Sequence, residues 1–326
     1  MAVVAVLALA GCSGGEPDQD SDEPGRPAAA VRETWPLTGL SVDKGSAALR
    51  HPVLVLKMDN TASSSPQLGL SSADLVVEEL VEGGVTRLAA FYYSNIPGVV
   101  GPVRSMRASD IGIVSPVDAT MVTSGAAQQT ISLLAKAAVP FVTEGSAGFF
   151  RESSRSAPYN LMTDLGDVAD ATRTDSARPA DYLPFGPAKS LPKGDPAGSF
   201  AARFSPAHTT TWEYRDGTYV DDGSLAAAGD EFPADSVLVL RVEIGDAGYL
   251  DPAGNTVPET KFVGDGDALL FHGGREVAGS WSKSALDASV ALTRETPKGR
   301  TVALRVPPGH TWIELVPVSG GVDVSP

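Results

Sequence analysis

The stretch from Ala73 to Ser94, ADLVVEELVEGGVTRLAAFYYS, constrains the fold of this chain more than any other. It holds two apolar, β-branched and aromatic runs joined at Gly83-Gly84. A glycine pair takes up the positive φ of a tight turn at little steric cost, so the segment predicts an antiparallel hairpin. Glutamate and leucine in the first run also suit a helix, but the valines and the Gly-Gly turn favour strands.

The segments around it fill out an α/β pattern. HPVLVLKMDN is a continuous apolar run, as in a buried strand, and DATMVTSG reads as another. After Pro102 the pattern predicts a helix with Ser105 as its N-cap, ending before Pro116. AAQQTISLLAKAA predicts an amphipathic helix stopped by Pro140, and residues 149–173 a loop followed by a short helix. Residues 35–175 are therefore expected to form an α/β (α+β) domain around a mixed sheet. Residues 176–200, rich in proline and glycine, read as a linker. From 201 to 326 short strands alternate with Asp-Gly, Gly-Gly and Pro-Gly turns, which predicts a mostly β domain, a small sandwich or open barrel.

The start of the chain reads differently. MAVVAVLALAGC is too short to span a bilayer, which takes roughly 20 apolar residues, and its end, Leu9-Ala10-Gly11-Cys12, looks like a bacterial lipobox. Residues 1–12 are then a lipoprotein signal, with cleavage before Cys12 and acylation of its thiol. The positively charged region that opens such signals is missing, so the natural start is expected upstream. Residues 13–34, mostly Gly, Pro, Ser and acidic side chains, read as a flexible tether. The expected location is the extracytoplasmic face of the cell membrane, held by the lipid. With Cys12 the single cysteine, no internal disulfide can form.

Charge and motifs exclude several functions. With 40 acidic against 25 basic residues the net charge is −15, the wrong sign for binding a phosphate backbone, so nucleic acid is not a partner. No phosphate-binding loop, nucleophile elbow or zinc-protease motif occurs, so no classical hydrolase is visible. His51, His208, His272 and His310 are too scattered for a zinc site, and neither metal nor cofactor is expected.

The candidate site is an arginine cluster. In VVGPVRSMRASD, Arg104 and Arg107 stand three apart and would share one face of a helix starting at Ser105. The free N–H groups of its first turn would complete an anion site. Arg87, Arg151 and Arg155 can join it, and arginine favours bidentate contacts with phosphate or carboxylate. Pairing of the same arginines with Asp74, Glu78, Glu79, Glu82 or Asp110 uses the same geometry, and the residues alone leave the two readings open. Trp281, Lys283 and Trp312 would form a binding platform if exposed, though tryptophan in a small β domain is more often core.

The stretches PLTGL, SPQLGLSSADLVVEELVEGGVTRLAAFY, VGPVRSMR, FFRESSRSAPYNL, GSWSK and GHTWIELVP together resemble the YerB-like family, bacterial proteins of unknown function read as lipoproteins. The resemblance runs from residue 36 to 317. It implies an anchored extracytoplasmic protein with an α/β part followed by a β-rich part, and it implies no reaction. The residues it singles out are Asp74, Glu78, Arg87, Arg104, Ser105, Arg107, Arg151 and Asn160. The expected function is recognition of an anionic envelope ligand or a protein partner through the arginines. A weaker likeness, in topology and one short motif, is to the LytR-CpsA-Psr transferases. It gives the alternative of a phosphotransferase acting on lipid-linked pyrophosphate glycopolymers. There Arg87, Arg104 and Arg107 would neutralise phosphates, and Asp74 or Glu78 would hold a divalent cation or act as base.

Overall fold

The hairpin sits near the middle of a thirteen-stranded sheet in the computed structural model, which describes residues 32–175, 177–251 and 254–326. The strands that build the site and its frame are, in the first half, β1 (Leu54–Asn60), β2 (Leu75–Leu80), β3 (Thr86–Tyr92), β4 (Thr120–Val122) and β5 (Phe141–Val142). In the second half they are β6 (Ser199–Ser205), β7 (His208–Arg215), β8 (Thr218–Asp221), β9 (Ser236–Leu250), β10 (Thr256–Lys261), β11 (Gly264–His272), β12 (Arg275–Lys283), β13 (Ala291–Glu295), β14 (Thr301–Ala303), β15 (Thr311–Pro317) and β16 (Gly321–Ser325). The large sheet runs β14-β13-β12-β11-β9-β15-β2-β3-β1-β4-β5, with β10 paired to β9. A second sheet, β8-β7-β6-β16, has four strands.

The expected classes hold: a mixed-sheet α/β first part is followed by a mostly β second part. Gly83 and Gly84 turn the β2–β3 hairpin at φ 75° and 74°, and Gly273-Gly274 turns β11 into β12 the same way. The two parts share the large sheet, because β15 from the end of the chain lies parallel to both β9 and β2. Residues 32–326 form one compact unit. The Pro/Gly-rich stretch contributes to it, since Asp195–Pro196 pairs with β12.

Strand alternation gives the large sheet two apolar faces. One carries Val53, Val55, Leu75, Val77 and Ile313 and is covered by the helix α1 (Asp110–Val114) with Tyr182 and Leu183. The other carries Leu54, Leu56, Val76 and Phe271 and packs against the four-stranded sheet, where the rings of Phe200 and Phe271 stack 3.7 Å apart. Trp281, Lys283 and Trp312 are all buried, so they form no platform. The Trp281 indole donates to the carbonyl of Arg241, and the Lys283 ammonium is enclosed by backbone carbonyls.

Two expectations are corrected. No helix starts at Ser105: residues 101–107 run irregularly between β1 and the 123–125 loop, and α1 begins only at Asp110. The carbonyl of Arg104 and the backbone N–H of Met106 are taken by the Thr123 hydroxyl, which competes with helical bonding. Order also begins earlier than Trp35, because Arg32–Thr34 pairs with Ser41–Asp43. Residues 1–31, with the lipobox and Cys12, lie outside the described residues.

Candidate functional site

Lys57, Asp59, Glu79 and Arg87 share one face of β1, β2 and β3, at the end of the sheet where β1 and β2 finish. Each occupies a position that strand alternation turns toward α1. Lys57 is fully buried, with its ammonium between the carboxylates of Glu79 and Asp110, at 2.7 Å from the latter. Burial pushes the Glu79 carboxyl above its ordinary range, against the pull of Lys57. Arg107 grips Glu82 with two guanidinium nitrogens, Nε at 2.8 Å, and Arg87 lies 3.4 Å from the same carboxylate. Burial and then the nearby charge of Arg107 lower Arg87 to about 10, so it stays charged at neutral pH. Burial would raise Glu82, but the Arg107 bonds outweigh it and hold this carboxyl below its usual range. Arg104 Nε lies 2.6 Å from Asp59 Oδ2.

Here the two readings of the arginine cluster separate. Four cations, Lys57, Arg87, Arg104 and Arg107, face four carboxylates, Asp59, Glu79, Glu82 and Asp110. The network balances its own charge, and Arg87 and Arg107 are anchored further by the Ser105 carbonyl. Both arginines are spent on the fold, so the phosphate-neutralising role is not open to them as they stand.

The rim of the network is more open. The Arg104 guanidinium keeps 21% of its side chain exposed and lies 5.2 Å from the centre of the Tyr159 ring, within cation–π reach. Next to Tyr159, Asn160 Oδ1 accepts from Arg151, whose guanidinium also pairs with Glu144 at 2.6 Å. Arg155 pairs with Glu152 and donates to the carbonyls of Ser64 and Pro66. Arg104, Arg151, Arg155 and Asn160 thus share one rim with the 61–66 turn. Arg151→Ala, losing a pair about half in solvent, is expected to change stability by no more than about 0.5 kcal/mol. Arg107→Ala, stripping Glu82 of its main partner, is expected to cost roughly 2 kcal/mol. Urea unfolding of the two variants side by side checks the contrast.

Asp74 and Glu78 do not join this site. Asp74 precedes β2 at the opposite end of the sheet and accepts hydrogen bonds from the backbone of Tyr93 and Ser94, holding the exit of β3. Glu78 points to the other face. There it accepts from His208 Nε2 at 2.8 Å, Thr86 at 2.6 Å, Asn60 at 3.1 Å and Thr210 at 3.1 Å. Burial pushes Glu78 up, but the hydrogen bond and charge of His208 outweigh it and leave the carboxyl below its usual range. His208 is correspondingly raised: burial lowers it, and Glu78 more than reverses that. Directly across on β15 stands Glu314, fully buried, whose Oε1 receives the Trp212 indole N–H at 2.7 Å. Burial, then the charge of Glu78, lift Glu314 well above the ordinary carboxyl range. Among the described residues no group of three or more His, Cys, Asp or Glu is placed to hold a metal ion.

Sequence reasoning missed Lys57, Asp59, His208, Asp221 and Glu314. A signal existed for two of them: Lys57 in VLVLKM and Glu314 in TWIELVP are single charges inside continuous apolar strands. A charge in such a place requires a buried partner.

Residues 37–178 match the N-terminal domain, and residues 200–313 the C-terminal domain, of the protein family of unknown function DUF3048, and the chain belongs to that family. A relative in Bacillus subtilis (strain 168), named "Putative lipoprotein YerB", is 33% identical over 149 residues, a stretch that covers 44% of this chain and 44% of the relative. The crystal structure of the YerB protein from Bacillus subtilis superposes with a TM-score of 0.72 at 22% identity, covering 89% of this chain and 99% of that one. At that identity the likeness shows the shared fold. Among the described residues no helix is long and apolar enough to cross a membrane.

Proposed function

We propose that this chain is a lipid-anchored protein of the extracytoplasmic face of the cell membrane, joined to it through Cys12, which recognises an anionic envelope ligand or an acidic protein surface. The lipobox Leu9-Ala10-Gly11-Cys12 and the name carried by the Bacillus relative support the anchor. The recognising surface is the rim formed by Arg104, Arg151, Arg155 and Asn160, beside Tyr159. One observation carries this: Arg107 and Arg87 are locked in buried pairs, whereas the Arg151–Glu144 pair is 44% and 43% exposed. An exposed pair is worth about 0–1 kcal/mol, so an incoming phosphate or carboxylate can replace Glu144 at small cost. The buried four-against-four network behind it then acts as the frame that holds Arg104 in place.

The test is thermal unfolding of the full chain in detergent micelles, titrated with pyrophosphate, polyprenyl pyrophosphate and a carboxylate polymer. A ligand at about 100 times its Kd should add roughly 2.7 kcal/mol of stability. The expected result is stabilisation by at least one of these anions that is lost in Arg104→Ala and weakened in Arg151→Ala. Stabilisation by none of them, or equal stabilisation of the wild type and Arg104→Ala, would overturn the rim as an anion site. Turnover of the polyprenyl pyrophosphate would revive the transferase alternative.

A further inference from the structure

A cavity of about 270 Å³ opens on the other side of the sheet, between the end of β1 and the turn that follows β8. Its wall includes Asn60, Thr61, His208, Thr209, Thr210 and Asp221. Behind the wall lie Glu78 and Glu314, both fully buried. Glu78 is bonded to His208 Nε2 at 2.8 Å. Glu314, raised by burial, lies in hydrogen-bonding reach of Glu78, so these two carboxyls and His208 satisfy one another behind the wall. Asp221 accepts a single bond, from the backbone N–H of Gly223 at 2.9 Å. The nearest arginine on these strands, Arg215, is turned to Glu213 and Asp222. Among the described residues the Asp221 carboxyl has no ion-pair partner, so the cavity wall carries one acceptor without a matching positive charge.

We propose that this cavity is a binding site for a small polar molecule carrying a protonated amine, with Asp221 receiving the ammonium group and Thr209 offering its hydroxyl to the rest of the molecule. The volume suits a ligand of amino-sugar or amino-acid size. An ammonium brings what the pocket lacks: one positive charge and three N–H donors. A metal ion is a poorer match, since no group of metal ligands is assembled here. The site lies on the face of the sheet opposite Arg87 and Arg107, and its wall shares Thr61 with the turn on which Arg155 rests.

The state of Asp221 makes the proposal pH-sensitive in a defined direction. The groups facing it are Glu78 from β2, His208 from β7, Glu314 from β15 and Asp222 in its own turn. Burial, then the charge of Glu78, raise the Asp221 carboxyl to about 7. An ammonium binds the ionised form, so for an amine that stays protonated throughout, such as lysine, the apparent affinity follows the ionised fraction and should rise roughly tenfold from pH 6 to pH 8; for glucosamine, whose own amine loses its proton in this range, the rise is smaller. Ionised Asp221 is a burden on the empty fold, because its carboxyl is raised above the unfolded value. Asp221→Asn should therefore leave the melting temperature at pH 8 unchanged or higher.

The experiment is titration of the full chain in micelles with glucosamine, beside N-acetylglucosamine, and with lysine, beside Nα,Nε-diacetyl-lysine, followed by NMR of the His208 imidazole and by thermal unfolding. Glucosamine tests an amino-sugar source and lysine an amino-acid source. The expected result is that at least one free amine shifts the His208 resonances at pH 8, and more weakly at pH 6, by about tenfold in the case of lysine. Its acetylated form should not, and the response should be lost in Asp221→Asn. Equal response to the acetylated compounds, persistence in Asp221→Asn, or no response to either amine at pH 8 would overturn the proposal.

Discussion

Lys57→Met is expected to be among the most damaging single substitutions in this chain, lowering the unfolding free energy by roughly 3–5 kcal/mol. Methionine keeps most of the volume, so little cavity is created and the loss isolates the charge. Lys57, Glu79 and Asp110 are all fully buried, and removing the ammonium leaves two carboxyl groups facing each other away from water. They can relieve the repulsion by taking up protons, and their folded-state pKa values then rise above the unfolded ones. A carboxyl raised in the folded state costs stability progressively as pH rises above its unfolded value, so the deficit should be larger at pH 8 than at pH 5. Urea unfolding at both pH values measures this. Adding Glu79→Gln and Asp110→Asn to Lys57→Met should recover part of the loss. A deficit that is the same at both pH values, with no recovery, would mean that packing rather than charge dominates at this position.

That prediction also shows where the sequence was informative. The hairpin at Gly83-Gly84 was legible because both signals are local: β-branched runs on either side and two residues able to take positive φ. The strand β1 and the helix at Gln128–Lys136 were legible for the same reason, being patterns contained within a dozen residues. The 104–107 stretch misled because a serine soon after a proline, here Ser105 after Pro102, looks like a helix start. What prevents it is Thr123, 19 residues from Arg104, whose hydroxyl donates to the Arg104 carbonyl. No local pattern contains that contact.

The site was half legible for a related reason. Composition and spacing show that arginines and acids are abundant between Asp74 and Arg155, but two adjacent glutamates in VVEEL point to opposite faces. Glu79 meets Lys57 on one side and Glu78 meets His208 on the other, the latter 130 residues away in the chain. Which arginine remains open to solvent depends on loops that close over the strand ends, and those are set by tertiary contacts. The lone charges in VLVLKM and TWIELVP announce buried partners without saying which ones.

The other large effect concerns β15, the strand that carries Glu314. It is parallel to β9 over seven residues, Ser236–Val242 against Thr311–Pro317, and to β2 over five, Leu75–Glu79 against Thr311–Leu315. Every residue of β15 is buried. Ending the chain after Gly309 should therefore strip both β2 and β9 of a neighbour, expose two long unpaired edges, and remove Ile313 and Leu315 from one core and Trp312 and Val316 from the other. The expected product is unfolded or aggregated in both halves, with rapid proteolysis of the β1–β3 region as well as of β9–β12. The full chain, by the same reasoning, should unfold in one transition. Hydrogen-exchange protection in β1 and in β11 should collapse at the same urea concentration, because neither half keeps its sheet without the shared strand. A truncated chain that keeps a protease-resistant fragment ending near residue 175 would show that the first half folds alone and that β15 only docks on it. Two separated exchange transitions in the full chain would also mean that the halves fold independently. A single transition would make the family's two domains one folding unit.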